Sequence, residues 1–282
     1  MAIFICDKVP TFENLRAAGI DVQPEHRTDP RAARILLVSP KSSIANPPAT
    51  DVQWATLLEG SRKPVHLTVI TPEEFTSAIR ADGMIMAGVA PEREDQELAA
   101  QKIIVHAHLN IPCGFYVCWA AQMALKYDYD VPTYWNEHKF VGLCPLQLNE
   151  NPSSPLANHF HADLRRFGKI EATIHRHGFF TEEDIAKTGG VVETILHSGY
   201  AGPSVLCSAD GRNAYLLEHI EHGCDRKEPP PWRPVAQTIM NRWLDQVDIK
   251  RAALSRAVTG IFDRNVFSHA RPGATDVRVA LG

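Results

Sequence analysis

Cys113-Gly-Phe-Tyr-Val-Cys118-Trp-Ala-Ala-Gln-Met-Ala124 decides the fold. Its first five residues form a short, continuous apolar run of the kind that fills a strand buried on both faces. From Trp119 onward the composition turns helical, and a single cysteine stands at the turn. A strand-to-helix elbow lifts its side chain out at the carboxyl edge of a parallel sheet, aims the helix's positive N-terminus at it and gathers backbone N–H groups around a developing oxyanion. Each effect favours an ionised sulfur, so Cys118 is the leading nucleophile candidate. The plainer alternative is a small buried hydrophobe packed with Tyr116, Val117 and Trp119.

Working outward, the same strand signature recurs at Arg34–Ser39, Val65–Ile70 and Gly83–Ala87, with the fourth strand at Pro112–Val117. The intervals are long enough for helices, of which Gln96–His108 and Trp119–Tyr127 are the clearest. Such alternation predicts an α/β fold, a mostly parallel sheet with helices on both faces. Val191–His197, Ser204–Ser208 and Ala214–Glu218 read as further strands, and Asp210-Gly211 marks a hairpin turn that adds an antiparallel portion. Before the sheet lies an irregular arm with a short helix from Pro10-Thr11 through Leu15 and Ala18. After it, Arg226–Pro234 carries four prolines, and Val235–Val247 forms an amphipathic helix with Ile239, Met240, Trp243, Leu244 and Val247 inward. The expected organisation is one globular domain: an arm over 1–33, a catalytic α/β body over 34–247 and a tail over 248–282, partly disordered or in an oligomer contact.

The 282 residues, 44% hydrophobic and 22% charged, suffice for a full core. A net charge of -4 with no basic stripe argues against nucleic acid and favours small-molecule partners. Six cysteines show no Cys-x-x-Cys pair and no zinc spacing, which fits a reducing compartment. The opening Met-Ala-Ile-Phe-Ile-Cys-Asp-Lys is too short for a signal sequence, and no later segment reads as a membrane span. A cytoplasmic location is expected.

A cysteine nucleophile needs a base and a group to orient that base. Leu217-Glu218-His219-Ile220-Glu221-His222 supplies both after a predicted strand. In extended chain His219 and Glu221 point the same way, so Glu221 can accept the second ring N–H of His219. With 13 histidines in the chain, a histidine near a glutamate is not rare, and a solvated or capping role is the alternative.

Val117-Cys118-Trp119-Ala120-Ala121-Gln122 with Ala124-Leu125 resembles the nucleophile motif of the homoserine O-succinyltransferase and O-acetyltransferase family, a divergent match. Asp7-Lys8-Val9-Pro10 and Glu13-Asn14-Leu15-Arg16 are similar to that family's N-terminal arm, and Ile35-Leu36-Leu37 through Pro40-Lys41 to its first strand and lysine turn. Asp82-Gly83-Met84-Ile85 with Gly88 and Ala90-Pro91 resembles its glycine-alanine-proline loop, and Lys139-Phe140-Val141-Gly142 its lysine loop. His219-Ile220-Glu221 stands where the family has histidine-proline-glutamate, and Trp232-Arg233 and Asn241-x-Trp243-Leu244 match again. The resemblance covers roughly residues 7–247.

This resemblance implies a class I glutamine amidotransferase-like, flavodoxin-like fold and a ping-pong acyl transfer. Cys118 would attack an acyl-coenzyme A, acetyl-CoA or succinyl-CoA serving as co-substrate with no bound cofactor. The acyl-enzyme would then pass its acyl group to the hydroxyl of homoserine or a related amino-acid-like small molecule, activated by His219. Backbone at Trp119 and Gly88 would hold the oxyanion, and Lys41 and Lys139 would contact donor or acceptor. After Ala90-Pro91, either Glu92 or Arg93 occupies the family's donor-selecting position. The family's histidine-serine-arginine corresponds loosely to His175-Arg176-His177, leaving Arg176 or His177 to meet the acceptor carboxylate, a different grip if it is a histidine. The family's excursion after histidine-proline-glutamate is missing, because Cys224–Pro231 leads straight to Trp232. A specialised acceptor, as in secondary metabolism, is therefore expected, together with a homodimer.

Three other readings stand beside this one. An amidase or hydrolase with the same Cys-His-Glu site is disfavoured by Trp119, where such enzymes usually place glycine. A binding module without turnover would not be expected to keep Cys118, His219 and Glu221 together. A metal enzyme rests on His159-Phe160-His161 and His175-Arg176-His177, pairs at strand spacing without an evident third ligand, and no metal is expected.

Overall fold

The computed structural model of the chain describes residues 3–5, 10–25, 29–39, 49–88, 94–224 and 228–268. The strands are β1 (Ile3–Ile5), β2 (Val22–Pro24), β3 (Ala33–Val38), β4 (Val65–Ile70), β5 (Gly83–Met86), β6 (Cys113–Val117), β7 (Tyr134–Leu148), β8 (Ile170–Phe179), β9 (Val192–Ser198), β10 (Gly202–Ser208) and β11 (Asn213–Leu216). They join in the order β2-β1-β4-β3-β5-β6-β11-β10-β9-β7-β8. Pairing is parallel from β2 through β11 and antiparallel from β11 through β8.

The helices are α1 (Pro10–Ala17), α2 (Ala49–Glu59), α3 (Glu94–Asn110), α4 (Trp119–Tyr129), α5 (Pro155–Leu164), α6 (Glu182–Ala186) and α7 (Arg233–Ser268). Two apolar layers form because a strand of unbroken hydrophobics serves both faces of the sheet. On β3, Ile35 and Leu37 join one layer, with Trp54, Leu57 and Leu58 of α2 and Ile239, Trp243 and Val247 of α7. Leu36 and Val38 join the other, with Ile103 and Ile104 of α3 and Ala121 and Leu125 of α4. Phe115 is wedged edge-on between Trp54 and Trp243, at centroid distances of 5.7 and 5.3 Å. Gly83 lets α7 lie flat on the sheet, since a Cβ there would stand 2.9 Å from Trp243 and Val247.

The predicted central strands and the helices after β5 and β6 stand where expected, and Asp210-Gly211 turns β10 into β11, with Gly211 at φ 72°. Three features differ. The N-terminal arm contributes β1 and β2 to the sheet edge rather than staying irregular. The segment between α4 and β9 forms a long hairpin, β7–β8, which is unassigned in the strand pattern. Finally, α7 continues past Val247 to Ser268. Among the described residues no helix is long and apolar enough to cross a membrane.

Candidate active site

Strand register brings the candidate residues together. Parallel pairing sets Val117 against Leu216 and Tyr116 against Met86, so β5, β6 and β11 end level at one edge. The residues just beyond them, Gly88, Cys118 and His219, therefore meet there. Cys118 stands at φ 52°, ψ -119°, a conformation an L-residue rarely adopts unless its surroundings enforce it. Its N–H donates to the Leu216 carbonyl at 2.6 Å, and its carbonyl accepts from Ala121 and Gln122 at the start of α4. The sulfur is thus presented at the helix N-terminus, where Trp119 begins the first turn.

Glycine at position 88 is a steric requirement. A Cβ there would lie 2.7 Å from the Cys118 Cβ and 3.1 Å from the Val117 carbonyl oxygen. The bare backbone of Gly88 approaches Cys118 as no other residue could.

His219 is enclosed, its side chain 12% exposed. Its backbone N–H donates to the Thr173 carbonyl of β8 at 2.7 Å. The ring Nδ1 lies 2.8 Å from Oε1 of Glu221, which leaves the other ring nitrogen for Cys118. Burial pulls the imidazolium down, but the Glu221 carboxylate and the hydrogen bond with Cys118 outweigh it and hold His219 well above its usual range. Burial raises Glu221, yet His219 and His222 bring its carboxyl below the usual value. The other described cysteines, Cys113, Cys144, Cys207 and Cys224, are buried, and desolvation pushes Cys113 and Cys207 up to about 12. Cys118 alone among them reaches a cleft.

That cleft, of about 270 Å³, is lined by Gly88, Cys118, Trp119, Gln122, Trp135, Lys139, His175, Arg176, His177, Gly178 and His219. The β7–β8 hairpin supplies one wall and brings Lys139 and His177 into the cleft with Cys118. It also brings His175, to which the sequence assigns no substrate contact, and whose carbonyl oxygen lies 4.0 Å from the Cys118 sulfur. Burial and the nearby Lys139, His219 and His177 lower the pKa of His175.

Arg176 departs from the expected carboxylate-binding role. On β8 it faces the core, 2% exposed, and its guanidinium donates to the carbonyls of Gly178 and Ala201 and to Glu218. The strand alternation that turns it inward turns His177 toward the cleft. Lys41, Glu92 and Arg93 lie outside the described residues.

Of the two histidine pairs, one lies on a helix and the other, His175 and His177, lines the cleft on β8. His159 and His161 lie on α5, a helix, where residues two apart diverge. Among the described residues one group, His219, Glu221 and His222, offers ligand atoms within 4.8 Å of one another. The two rings stack at 4.3 Å with planes 4° apart, so their in-plane lone pairs run side by side instead of converging on one ion.

This architecture is the class I glutamine amidotransferase-like fold, with Cys118 at the strand-to-helix elbow. A Thermoplasma acidophilum structure ascribed to GMP synthase superposes with a TM-score of 0.58 at 14% identity, over 79% of this chain and 98% of its own. The glutaminase domain of Trypanosoma brucei CTPS with bound acivicin gives 0.55 at 12%, over 77% and 94%. Within that fold the sequence is more specific, for a model of the homoserine O-succinyltransferase family matches residues 77–228, and the chain belongs to that family of acyltransferases. Curated relatives include homoserine O-acetyltransferases of Chelativorans sp. strain BNC1, 24% identical over 88% of this chain and 94% of that protein, and of Acetivibrio thermocellus, 26% identical over 79% and 78%.

Proposed function

We propose that this acyltransferase moves a short acyl group, acetyl or succinyl, from coenzyme A to the hydroxyl of homoserine or a related amino-acid-like molecule through a Cys118 acyl-enzyme. The observation that carries this reading is the level placement of Cys118 and the Glu221-bound His219 in one small cleft. Its volume lies just below the roughly 300–1,000 Å³ usual for ligand pockets, which suits a small acceptor and a short acyl group.

Ionised Cys118 sulfur adds to the thioester carbonyl, and the backbone N–H groups of Trp119 and Gly88 receive the oxyanion. Collapse expels the coenzyme A thiolate, which takes the proton held by His219. Exchange between two thiolates keeps the barrier low in both directions. Neutral His219, oriented by Glu221, then takes the acceptor's hydroxyl proton as its oxygen attacks the acyl-enzyme. Release of the ester leaves that proton on His219 and returns the electron pair to sulfur, and the cycle closes.

Lys139 and His177 face the bound substrates in this reading. Lys41 retains a donor or acceptor contact, and Glu92 or Arg93 donor selection, as the family resemblance implies. A cytoplasmic location fits an acyl-coenzyme A donor, and a homodimer is what the family resemblance implies.

Brief incubation with acetyl-CoA or succinyl-CoA followed by intact-protein mass spectrometry tests the proposal. The expected result is a covalent adduct from one donor, absent in Cys118→Ala, which names the acyl group. No adduct from either donor would overturn the reading and shift the weight to amide hydrolysis at the same site.

A further inference from the structure

We propose that the buried Arg176–Glu218 pair is a positioning device. It locks the base-bearing segment after β11 to the cleft-lining strand β8, so that His219 and the His175/His177 face stay opposed across Cys118. The proposal rests on the acyl-transfer reading for its kinetic consequences and on geometry for its existence.

Sheet order creates the need for such a device. β10, β9 and β7 intervene between β11 and β8. The hairpin is fastened to the main sheet at its end alone, by Gln147 with His197 and Leu148 with Leu196, and by Asn149, which donates to the Ile195 and Thr194 carbonyls. Its far half must nevertheless fold over the end of β11 to bring residues 173–178 to the nucleophile. The ladder hydrogen bonds of the sheet cannot fix that approach to within the tolerance that acyl transfer demands.

Two cross-links do. The backbone bridge from His219 N–H to the Thr173 carbonyl lies on one side of the base, and the Arg176–Glu218 contact, 3.4 Å long with side chains 1% and 0% exposed, lies behind it. Glu218 is the residue immediately before His219, and Arg176 sits between His175 and His177. One ion pair therefore joins the immediate neighbours of all three histidines. Arg176 also holds the Gly178 and Ala201 carbonyls, at 3.2 and 2.9 Å, and Ser204 donates to Glu218 at 2.9 Å.

Stability alone is a poor explanation for placing this pair in the core. A buried ion pair is often no more stabilising than apolar side chains of similar volume. Here Arg176 Nε and the second oxygen of Glu218 find no protein partner, so compensation is incomplete. What the pair supplies, and an apolar contact would not, is a directional link between two segments that share no strand pairing beyond one bridge.

The test is the apolar replacement Arg176→Met with Glu218→Leu, which leaves neither charge stranded. The expected melting temperature is at or above that of the parent. Its kcat should fall roughly 10- to 100-fold and the acceptor KM should rise, the penalty for loosened reactive geometry. The pH dependence of Cys118 alkylation by iodoacetamide, followed on the peptide carrying Cys118, should also shift. A folded double variant with parental kcat, KM and alkylation profile would overturn the proposal. Should that variant fail to fold, Arg176→Lys decides: it keeps the charge and loses the fork, and parental behaviour in all three readouts is equally fatal. Alkylation requires no acyl donor, so absence of any acyl adduct on the parent enzyme would sink the acyl-transfer reading while leaving this comparison intact.

Discussion

Glu221 sets the proton state that His219 carries. Its carboxylate is the largest of the influences that raise the buried imidazolium, so the ring holds its proton well past the ordinary histidine range. In the proposed reaction, acyl-enzyme formation uses that proton on the departing thiolate, and its rate should fall on the alkaline side as His219 titrates. Glu221→Gln keeps an oxygen for Nδ1 and removes the charge, which lowers the pKa of His219. The alkaline limb should therefore move to lower pH, by about one unit or more given a neighbouring opposite charge at this distance. Rapid-quench measurement of acyl-enzyme formation across pH reads this directly. Superimposable limbs would mean that Glu221 orients the ring and does nothing to its charge. At this scale the sequence was informative about placement: Cys118 stands at the elbow, and His219 and Glu221, two residues apart, face one another. It was misleading at Arg176, because a single-residue change of strand parity separates a guanidinium in the cleft from one in the core, and the parity of β8 is set by Ala172 and Ile174 packing elsewhere.

Elements whose burial shows as continuous hydrophobic runs were legible, which is why β3 to β6 and α3 and α4 could be read directly. The β7–β8 hairpin was not. Residues 134–143 of β7 are largely exposed and mix apolar with charged side chains without strict alternation, Pro145 interrupts the donor pattern, and the alternation of Ile170, Ala172 and Ile174 breaks at Arg176. Yet this hairpin forms a wall of the cleft, held against α4 by Gln122, whose Nε2 donates to the Gly178 carbonyl at 3.3 Å. Gln122 lies one turn after Cys118 on α4. A Cβ at position 178 would come within 2.1 Å of the Gln122 amide oxygen, so Gly178→Ala must displace either the amide or the strand. Overpacking of this kind costs about 1–3 kcal/mol, and activity should drop with it. Adding Gln122→Ala removes the obstruction and should return part of the lost stability, a coupling visible in a double-mutant cycle of urea unfolding. Strictly additive losses would show that the two sites do not press on one another.

At the scale of the whole molecule, α7 fastens the body from the first helices to the last strands. Thirty-six residues at 1.5 Å rise make a rod of about 54 Å, and its apolar stripe ends at Val247. Sequence periodicity therefore marked an end there, since beyond it Ile249 and Leu254 are more than half exposed. What carries the helix onward is polar and long-range, and periodicity cannot reveal it. Lys63 contacts Asp248 at 2.6 Å, Lys250 donates to the Asp210 carbonyl at the β10–β11 turn, and Arg251 reaches the carbonyls of Arg31 and Ala32 just before the edge of β3. These half-exposed contacts are individually modest, at about 0.5–1 kcal/mol each. A chain ending at Val247 should thus lose roughly 1–3 kcal/mol in urea unfolding, whereas one ending at Arg256 keeps every one of them and should be less destabilised by that amount. High salt should narrow the gap, because the ion-paired share of it is screened while the hydrogen bonds to carbonyls persist. Equal stabilities for the two truncations would show that Val247 is the functional end of the helix and that its continuation contributes nothing to holding β3 and the β10–β11 turn together.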